Sequence, residues 1–294
     1  MADALYREFE ALAHRLADRA GEIQRRYFRT PVSVETKPDD SPVTVADREA
    51  EAAMREVIGA VYPHHGVLGE EHGRERLDAE FVWVLDPIDG TKSFITGRPL
   101  FGTLIALAHR GRPVLGLIDQ TILQERWVGL AGGASVWNGR PIRVRPCPRL
   151  EDAVLYATSP TMFREGAERE GFARAQARAR LPMFGGDCYA YGLLAMGFAD
   201  VVVEAGLAPY DFMALVPVIE GAGGLVTDWH GRALDLSSAG QVVAAGDRRA
   251  HAAACGLLLP PGAHAPTVAA RRVHAASRPP QSTKSSAAKL PTHR

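Results

Sequence analysis

Residues 81–91 read Phe-Val-Trp-Val-Leu-Asp-Pro-Ile-Asp-Gly-Thr. The first five are apolar and partly β-branched, which reads as a buried strand stopping at Asp86-Pro87, where proline withdraws a backbone donor. A buried strand needs a sheet around it and cover on its faces. Chemistry is concentrated where it ends. Asp86 and Asp89 are two carboxylates three residues apart at a turn, with the φ of Pro87 fixed between them. Hard oxygen ligands converging on one point suit Mg²⁺, which takes one or two protein carboxylates per ion and keeps positions for water and phosphate. Gly90 removes the Cβ that would hold a phosphate off the backbone. The amides of Gly90 and Thr91 are placed to open a helix whose N-terminus favours an anion. The plainer alternative is a loop with Asp caps.

Before this segment, Leu5, Phe9, Leu12, Leu16, Ala20, Ile23 and Tyr27 recur at steps of three and four and mark a long amphipathic helix. Ala50, Met54, Val57, Ile58 and Val61 mark a second, with Thr44 or Asp47 as its cap. After it, residues 101–108, 113–118 and 126–130 read as strands joined by Gly, Pro and Asn-Gly turns. The first part, 1–148, is therefore two helices against a mainly antiparallel sheet. From 149 to 261 strands and helices alternate, with strands at 153–157, 201–204 and 241–245 and helices at 171–181, 189–196 and 212–220. That pattern predicts a second sheet with helices on its faces.

Three further acids stand at element ends. Glu70, in Gly69-Glu-Glu71, follows the apolar pair Val67-Leu68, so it lies at a strand end; alone it also reads as a solvated acidic loop. Asp47 follows Ser41-Pro-Val-Thr-Val-Ala at a helix start, and Asp211 lies between Tyr210 and Phe212 at another. Capping is the ordinary use of an acid at both places.

Charge and composition exclude several function classes. The chain is neutral overall, yet residues 262–294 hold six Lys/Arg and no acid, so the remainder carries about six excess negative charges. An acidic body is unpromising for nucleic acid and suits a protein that gathers cations. The tail at 262–294 is rich in Ala, Pro, Ser and Arg and is expected to be disordered and basic. No stretch is apolar for about 18 residues, so no membrane span is expected. Cys147, Cys188 and Cys255 have no metal or disulfide spacing, which fits a reducing cytoplasm.

Taken in order, Thr44-Val-Ala-Asp47, Gly69-Glu-Glu71, Asp86-Pro-Ile-Asp-Gly-Thr91, Pro209-Tyr-Asp211 and Gly221-Ala-Gly-Gly224 resemble the motifs of the inositol-monophosphatase-like family of metal-dependent phosphatases. The resemblance covers residues 5–258. It implies an α/β fold, a layered α-β-α-β-α sandwich, usually assembled as a homodimer. It further implies that Glu70, Asp86 and the Ile88 carbonyl hold one Mg²⁺ and that Asp86, Asp89 and Asp211 hold a second, in a site taking two or three ions. Asp47 and Thr91 would orient and activate the attacking water, with Glu70 contributing to catalysis. The implied substrate is a small phosphate monoester. A covalent aspartyl-phosphate route would want a DxDx[TV] element, and none occurs in the sequence.

Within that family, Gly185-Gly-Asp-Cys-Tyr-Ala-Tyr191 and the segment from Val202 to Asp211 look most like the histidinol-phosphatase branch. Histidinol phosphate carries an ammonium and an imidazole, and Asp187 and Glu204 are the acids expected to meet them. The competing uses are helix capping for Asp187 and a solvent-facing strand-end charge for Glu204. A sugar bisphosphatase would want basic residues for its second phosphate, and residues 185–211 contain none. The enzyme alternative is an inositol-1-phosphate phosphatase; the alternative from another class is a catalytically silent regulator that binds phosphate ligands. Loss of a ligand acid would mark the silent form, and Asp47, Glu70, Asp86, Asp89 and Asp211 are all present.

Overall fold

The computed structural model describes residues 2–37 and 42–260; residues 38–41 and 261–294, with the basic tail expected there, lie outside them. Helix α1 (Ala2–Tyr27) buries Phe9, Leu12, Leu16, Ala20 and Ile23 along the face that the three-four spacing predicts. Strands β1 (Val34–Thr36) and β2 (Pro42–Thr44) pair with each other and lead into α2 (Val45–Val61). Of the two caps open from sequence, Thr44 is the one used. Its side chain accepts from the Ala46 amide while Asp47 reaches back to the Thr44 amide at 2.8 Å, a capping box contributing about 1 kcal/mol.

There follow β3 (Gly66–Gly69), β4 (Arg74–Glu75), β5 (Phe81–Asp89), the short helix α3 (Thr91–Ile95), β6 (Gly102–His109), β7 (Arg112–Gln120), β8 (Glu125–Leu130), β9 (Val136–Trp137) and β10 (Arg140–Pro141). All but α3 form one sheet in the order β10-β9-β8-β7-β6-β5-β3-β4, antiparallel except where β3 runs parallel to β5. The Asn138-Gly139 turn between β9 and β10 has both residues at positive φ, 47° and 74°, as a two-residue hairpin demands.

The second part contains β11 (Val154–Ala157), α4 (Ala167–Arg178), β12 (Leu181–Phe184), α5 (Asp187–Ala195), β13 (Val201–Glu204), α6 (Pro209–Phe212), α7 (Leu215–Gly221), β14 (Leu225–Thr227), β15 (Val242–Ala245) and α8 (Arg248–Leu258). Its five strands are ordered β12-β11-β13-β15-β14. Two expected helices are corrected: the one placed at 171–181 runs Ala167–Arg178, with Leu181 opening a strand, and the one at 212–220 is divided into α6 and α7.

Alternation along the strands shows the layers. Trp83, Leu85, Ile105 and Leu107 point into a core shared with α1 and α2, whereas Val82, Val84, Leu104 and Ala106 point into a core with α5 and α7. That middle core also takes Val202, Val242 and Ala244 from the second sheet, whose other face sends Val201, Val203, Val243 and Ala245 towards Phe172 of α4 and Ala254 of α8. The result is the expected five-layer α-β-α-β-α sandwich, with period-two burial on both sheets.

Candidate active site

The strand expected to stop at Asp86 continues to Asp89, and the reason matters for the site. Asp86 pairs with Leu104 and Asp89 with Gly102, so β5 carries one residue more than β6 across this interval, a β-bulge at Pro87-Ile88. Residues three apart on a regular strand point to opposite faces. The bulge re-aims them, and Asp86 and Asp89 bring carboxylate oxygens within 4.8 Å of each other and of Asp211. Proline is tolerated there because the bulge needs no ladder donor. The Pro87 carbonyl is fixed by Gln24 Nε2 at 2.6 Å and Thr103 Oγ1 at 3.0 Å, and the Ile88 amide donates to Asp86 Oδ1 at 3.0 Å.

The other acids arrive from neighbouring elements. Because β3 and β5 are parallel and Gly69 pairs with Leu85, the next residue on each strand is Glu70 and Asp86, and the Glu70 amide donates to the Leu85 carbonyl. Lys37 Nζ lies 2.8 Å from Glu70 and 2.6 Å from Glu71. Asp211 comes from α6, where its Oδ2 also accepts the Ala208 amide at 2.7 Å, so the capping role and the place in the cluster coexist. Burial, then the charges of Glu70, Asp89 and Asp211, holds Asp86 well above the usual carboxylate range. Burial and the charges of Asp187 and Asp211 do the same to Asp89, and burial pushes Asp211 up to about 8. These acids repel one another in a poorly solvated place, and an all-oxygen donor set of this kind fits a hard dication.

Asp47 is 0 % exposed, with Oδ2 taken by the amide and hydroxyl of Thr44 and Oδ1 3.5 Å from Thr91 Oγ1. Thr91 Oγ1 also donates to the Ile88 carbonyl at 3.1 Å. Thr91 opens α3 directly after Gly90, whose φ of 85° is left-handed and strains any other residue. A side chain at Gly90 would also collide with the Asp187 carboxylate, 2.9 Å from the position of its Cβ.

Asp187 and Glu204 line the same cavity, of about 310 Å³, as Glu70, Asp89, Thr91 and Asp211. Asp187 does not cap its helix: it is the first residue of α5, at a left-handed φ of 44°, and its carboxylate accepts Ser93 Oγ at 2.9 Å. The Cys188 amide beside it donates to Asp89 Oδ2 at 2.6 Å, and the Cys188 thiol packs in the core. The solvent-facing alternative for Glu204 is incorrect, since it is 4 % exposed. Thr158 donates to it through its amide and hydroxyl, and Tyr191 through its phenol at 2.9 Å, while burial pushes it up to about 7. Three donors on a carboxylate with about four lone-pair positions leave it room for one more.

Sequence reasoning missed Thr158, Tyr191, Ser93 and Glu51. Thr158 and Ser93 lie far along the chain from the acids they serve, and Tyr191, on α5, meets Glu204 only once β13 packs beside that helix. Glu51 had a signal, standing four residues after Asp47 on the same helical face.

Comparison with known proteins matches residues 5–259 to the model of the inositol monophosphatase family. The bifunctional phosphatase IMPL2, chloroplastic, of Arabidopsis thaliana is 52% identical over 260 residues, covering 85% of this chain and 75% of that protein. The histidinol-phosphatase of Chlorobaculum parvum is 36% identical over 234 residues, 79% of this chain and 90% of its own. Among solved structures, an inositol monophosphatase from Zymomonas mobilis is 49% identical with a TM-score of 0.80, covering 86% of this chain and 98% of that one.

Proposed function

Because this chain belongs to the inositol monophosphatase family of phosphatases, we propose that it is a Mg²⁺-dependent phosphomonoesterase acting on L-histidinol phosphate, releasing L-histidinol and phosphate. The observation that carries the reading is the convergence of Asp86, Asp89 and Asp211, of which Asp89 and Asp211 line a cavity that two further acids, Asp187 and Glu204, also line. On this reading Glu70, Asp86, Asp89, Asp211 and the Ile88 carbonyl hold two or three Mg²⁺. When bound, the ions supply Lewis acidity and neutralise phosphoryl charge.

The chain's own groups do the rest. Asp47 Oδ1 and the Thr91 hydroxyl orient the attacking water and draw its proton, while the opening of α3 at Gly90 and Thr91 turns backbone amides towards the phosphate. The charge of a loose phosphoryl transition state is met by positioning and electrostatics, without a covalent intermediate. Asp187 and Glu204 accept from the ammonium and imidazole of the leaving group, and Lys92 is the single basic side chain among the described residues lining the cavity. In the same reading the protein is a cytoplasmic homodimer. Among the described residues no helix is long and apolar enough to cross a membrane.

Each charge-assisted contact is worth about 1.5–3 kcal/mol, so two would separate histidinol phosphate from a neutral polyol phosphate by roughly two to four decades in kcat/KM. Phosphate release should be measured with histidinol phosphate, inositol-1-phosphate, a sugar bisphosphate and a nucleotide monophosphate, each with Mg²⁺ and with EDTA. Glu204→Gln and Asp187→Asn should weaken histidinol phosphate selectively and spare a small aryl phosphate. Equal or faster turnover of inositol-1-phosphate sinks the substrate assignment. That second reading draws on the Zymomonas mobilis structure, which is named as an inositol monophosphatase. Absence of turnover with every substrate would favour the silent regulator.

A further inference from the structure

Glu51 stands one helical turn beyond Asp47 on α2 and is 0 % exposed. Its Oε2 accepts the Glu71 amide at 2.7 Å, and its Oε1 accepts the His72 amide at 3.1 Å and Arg55 Nε at 2.7 Å. Arg55 also donates to the Gly73 carbonyl, and the Gly69 amide closes on the same carbonyl at 2.9 Å. The turn that carries Glu70 from β3 to β4 is therefore held from beneath by one carboxylate and its arginine. The chain makes room for this at Gly69, where a Cβ would stand 1.9 Å from Glu51 Oε1.

We infer that Glu51 is a positioning residue for the cation site, fixing the Glu70-Glu71 turn so that Glu70 is presented beside Asp86. The inference rests on Glu70 being a cation ligand. Two of the three donors to Glu51 are main-chain amides directly after Glu70, so the carboxylate sets the path of the backbone that aims the ligand. Asp47 and Glu51 are four residues apart, so α2 holds the Thr91 side and the Glu70 side of the site in one spacing. A carboxylate is needed at this point. An amide side chain would present N–H to one of the donors and leave it unpaired.

The test is a Mg²⁺ titration of the full chain followed by thermal unfolding and, separately, by phosphate release. Glu51→Gln should raise the Mg²⁺ concentration for half-maximal stabilisation by about tenfold or more, with the same shift in half-activation and recovery of rate at saturating Mg²⁺. Gly69→Ala keeps the carboxylate but displaces it, and should give the same shift; it carries the test where Glu51→Gln fails to fold. A role confined to stability would lower the melting temperature of the metal-free protein and leave both Mg²⁺ midpoints in place, which overturns the inference. An unmodified protein that responds to Mg²⁺ beside variants that titrate identically overturns it alone. An unmodified protein indifferent to Mg²⁺ overturns the reading of Glu70 as well.

Discussion

Stripping divalent cations should leave a protein that loses stability as the pH rises from 6.5 to 8. Burial pushes Asp211 up to about 8 and Glu71 and Glu204 each up to about 7, whereas in the unfolded chain such groups titrate near 4. A carboxyl group with a raised folded pKa keeps a proton that the unfolded chain has released. Its contribution is complete below the unfolded value and is lost as pH climbs through the folded one. His251 runs the other way: burial holds it down to about 4, so its cost grows mainly below about 6.5 and offsets only a small part of the fall across the chosen window. Across 1.5 pH units one retained proton is worth about 2 kcal/mol at 1.36 kcal/mol per unit. Asp211 is partly exposed, which roughly halves its share, and Glu71 and Glu204 are already near their midpoints, for a total of about 1–2 kcal/mol. In a chain of this size that is a fall in Tm of about 2–4 °C. Calorimetry in EDTA at the two pH values measures it directly. Saturating Mg²⁺ should flatten or invert the slope by favouring the ionised acids, and Asp211→Asn should shrink it. A metal-free Tm that is level or rising over this window refutes the reasoning.

Asp86→Asn should cut turnover by at least about 10³-fold while the metal-free Tm holds or rises, because one of several repelling buried acids is gone; retained activity, seen in a phosphate-release assay, contradicts the ligand reading. Thr91→Ala and Asp47→Asn should each lower kcat far more than they raise KM, and the double variant should be little worse than either, since the pair acts on one water; additive losses show independent roles. Gly116→Ala on β7 would place a Cβ 1.9 Å from the Ala214 carbonyl between α6 and α7, so it should destabilise by about 1–3 kcal/mol in chemical unfolding, and a neutral result would mean that this sheet-to-helix approach is loose.

What the sequence disclosed depended on how local each cause was. The stripe from Phe9 to Ile23 and the apolar run from Phe81 to Leu85 were legible because their periodicity is written in adjacent residues. The path after Asp86 was not, since Asp-Pro-Ile-Asp-Gly reads as a turn and only pairing with β6 makes it a bulge. Helix α4 was misplaced because its residues are mostly Ala, Arg and Glu, with Gly171, Phe172 and Ala175 as its buried face. Strand β12 is a short, half-exposed edge containing Pro182, which lacks the alternation that marks a strand. At the site, the acids were visible because each ends an element. Glu204 was given the wrong surroundings because Thr158 and Tyr191, which enclose it, are set by the second sheet and by α5.

The middle layer of the sandwich has a consequence for how the two halves of the molecule communicate. Asp86 and Asp89 belong to the first sheet, whereas Asp211 rides on α6, which packs against β5 and β6 of that sheet within the middle core. A cation shared by these acids would tie together positions about 120 residues apart, closing a long loop of chain in the manner of a crosslink. Unlike a disulfide, such a tie is reversible and tunable, with a strength that follows the free Mg²⁺ of the surrounding solution. Separation of α6 from the first sheet would open the ring of acids while that sheet keeps its own hydrogen bonds. The ion would then act as a rivet between the first sheet and the helix packed on it, and the solution that feeds the chemistry would also set how stable the molecule is.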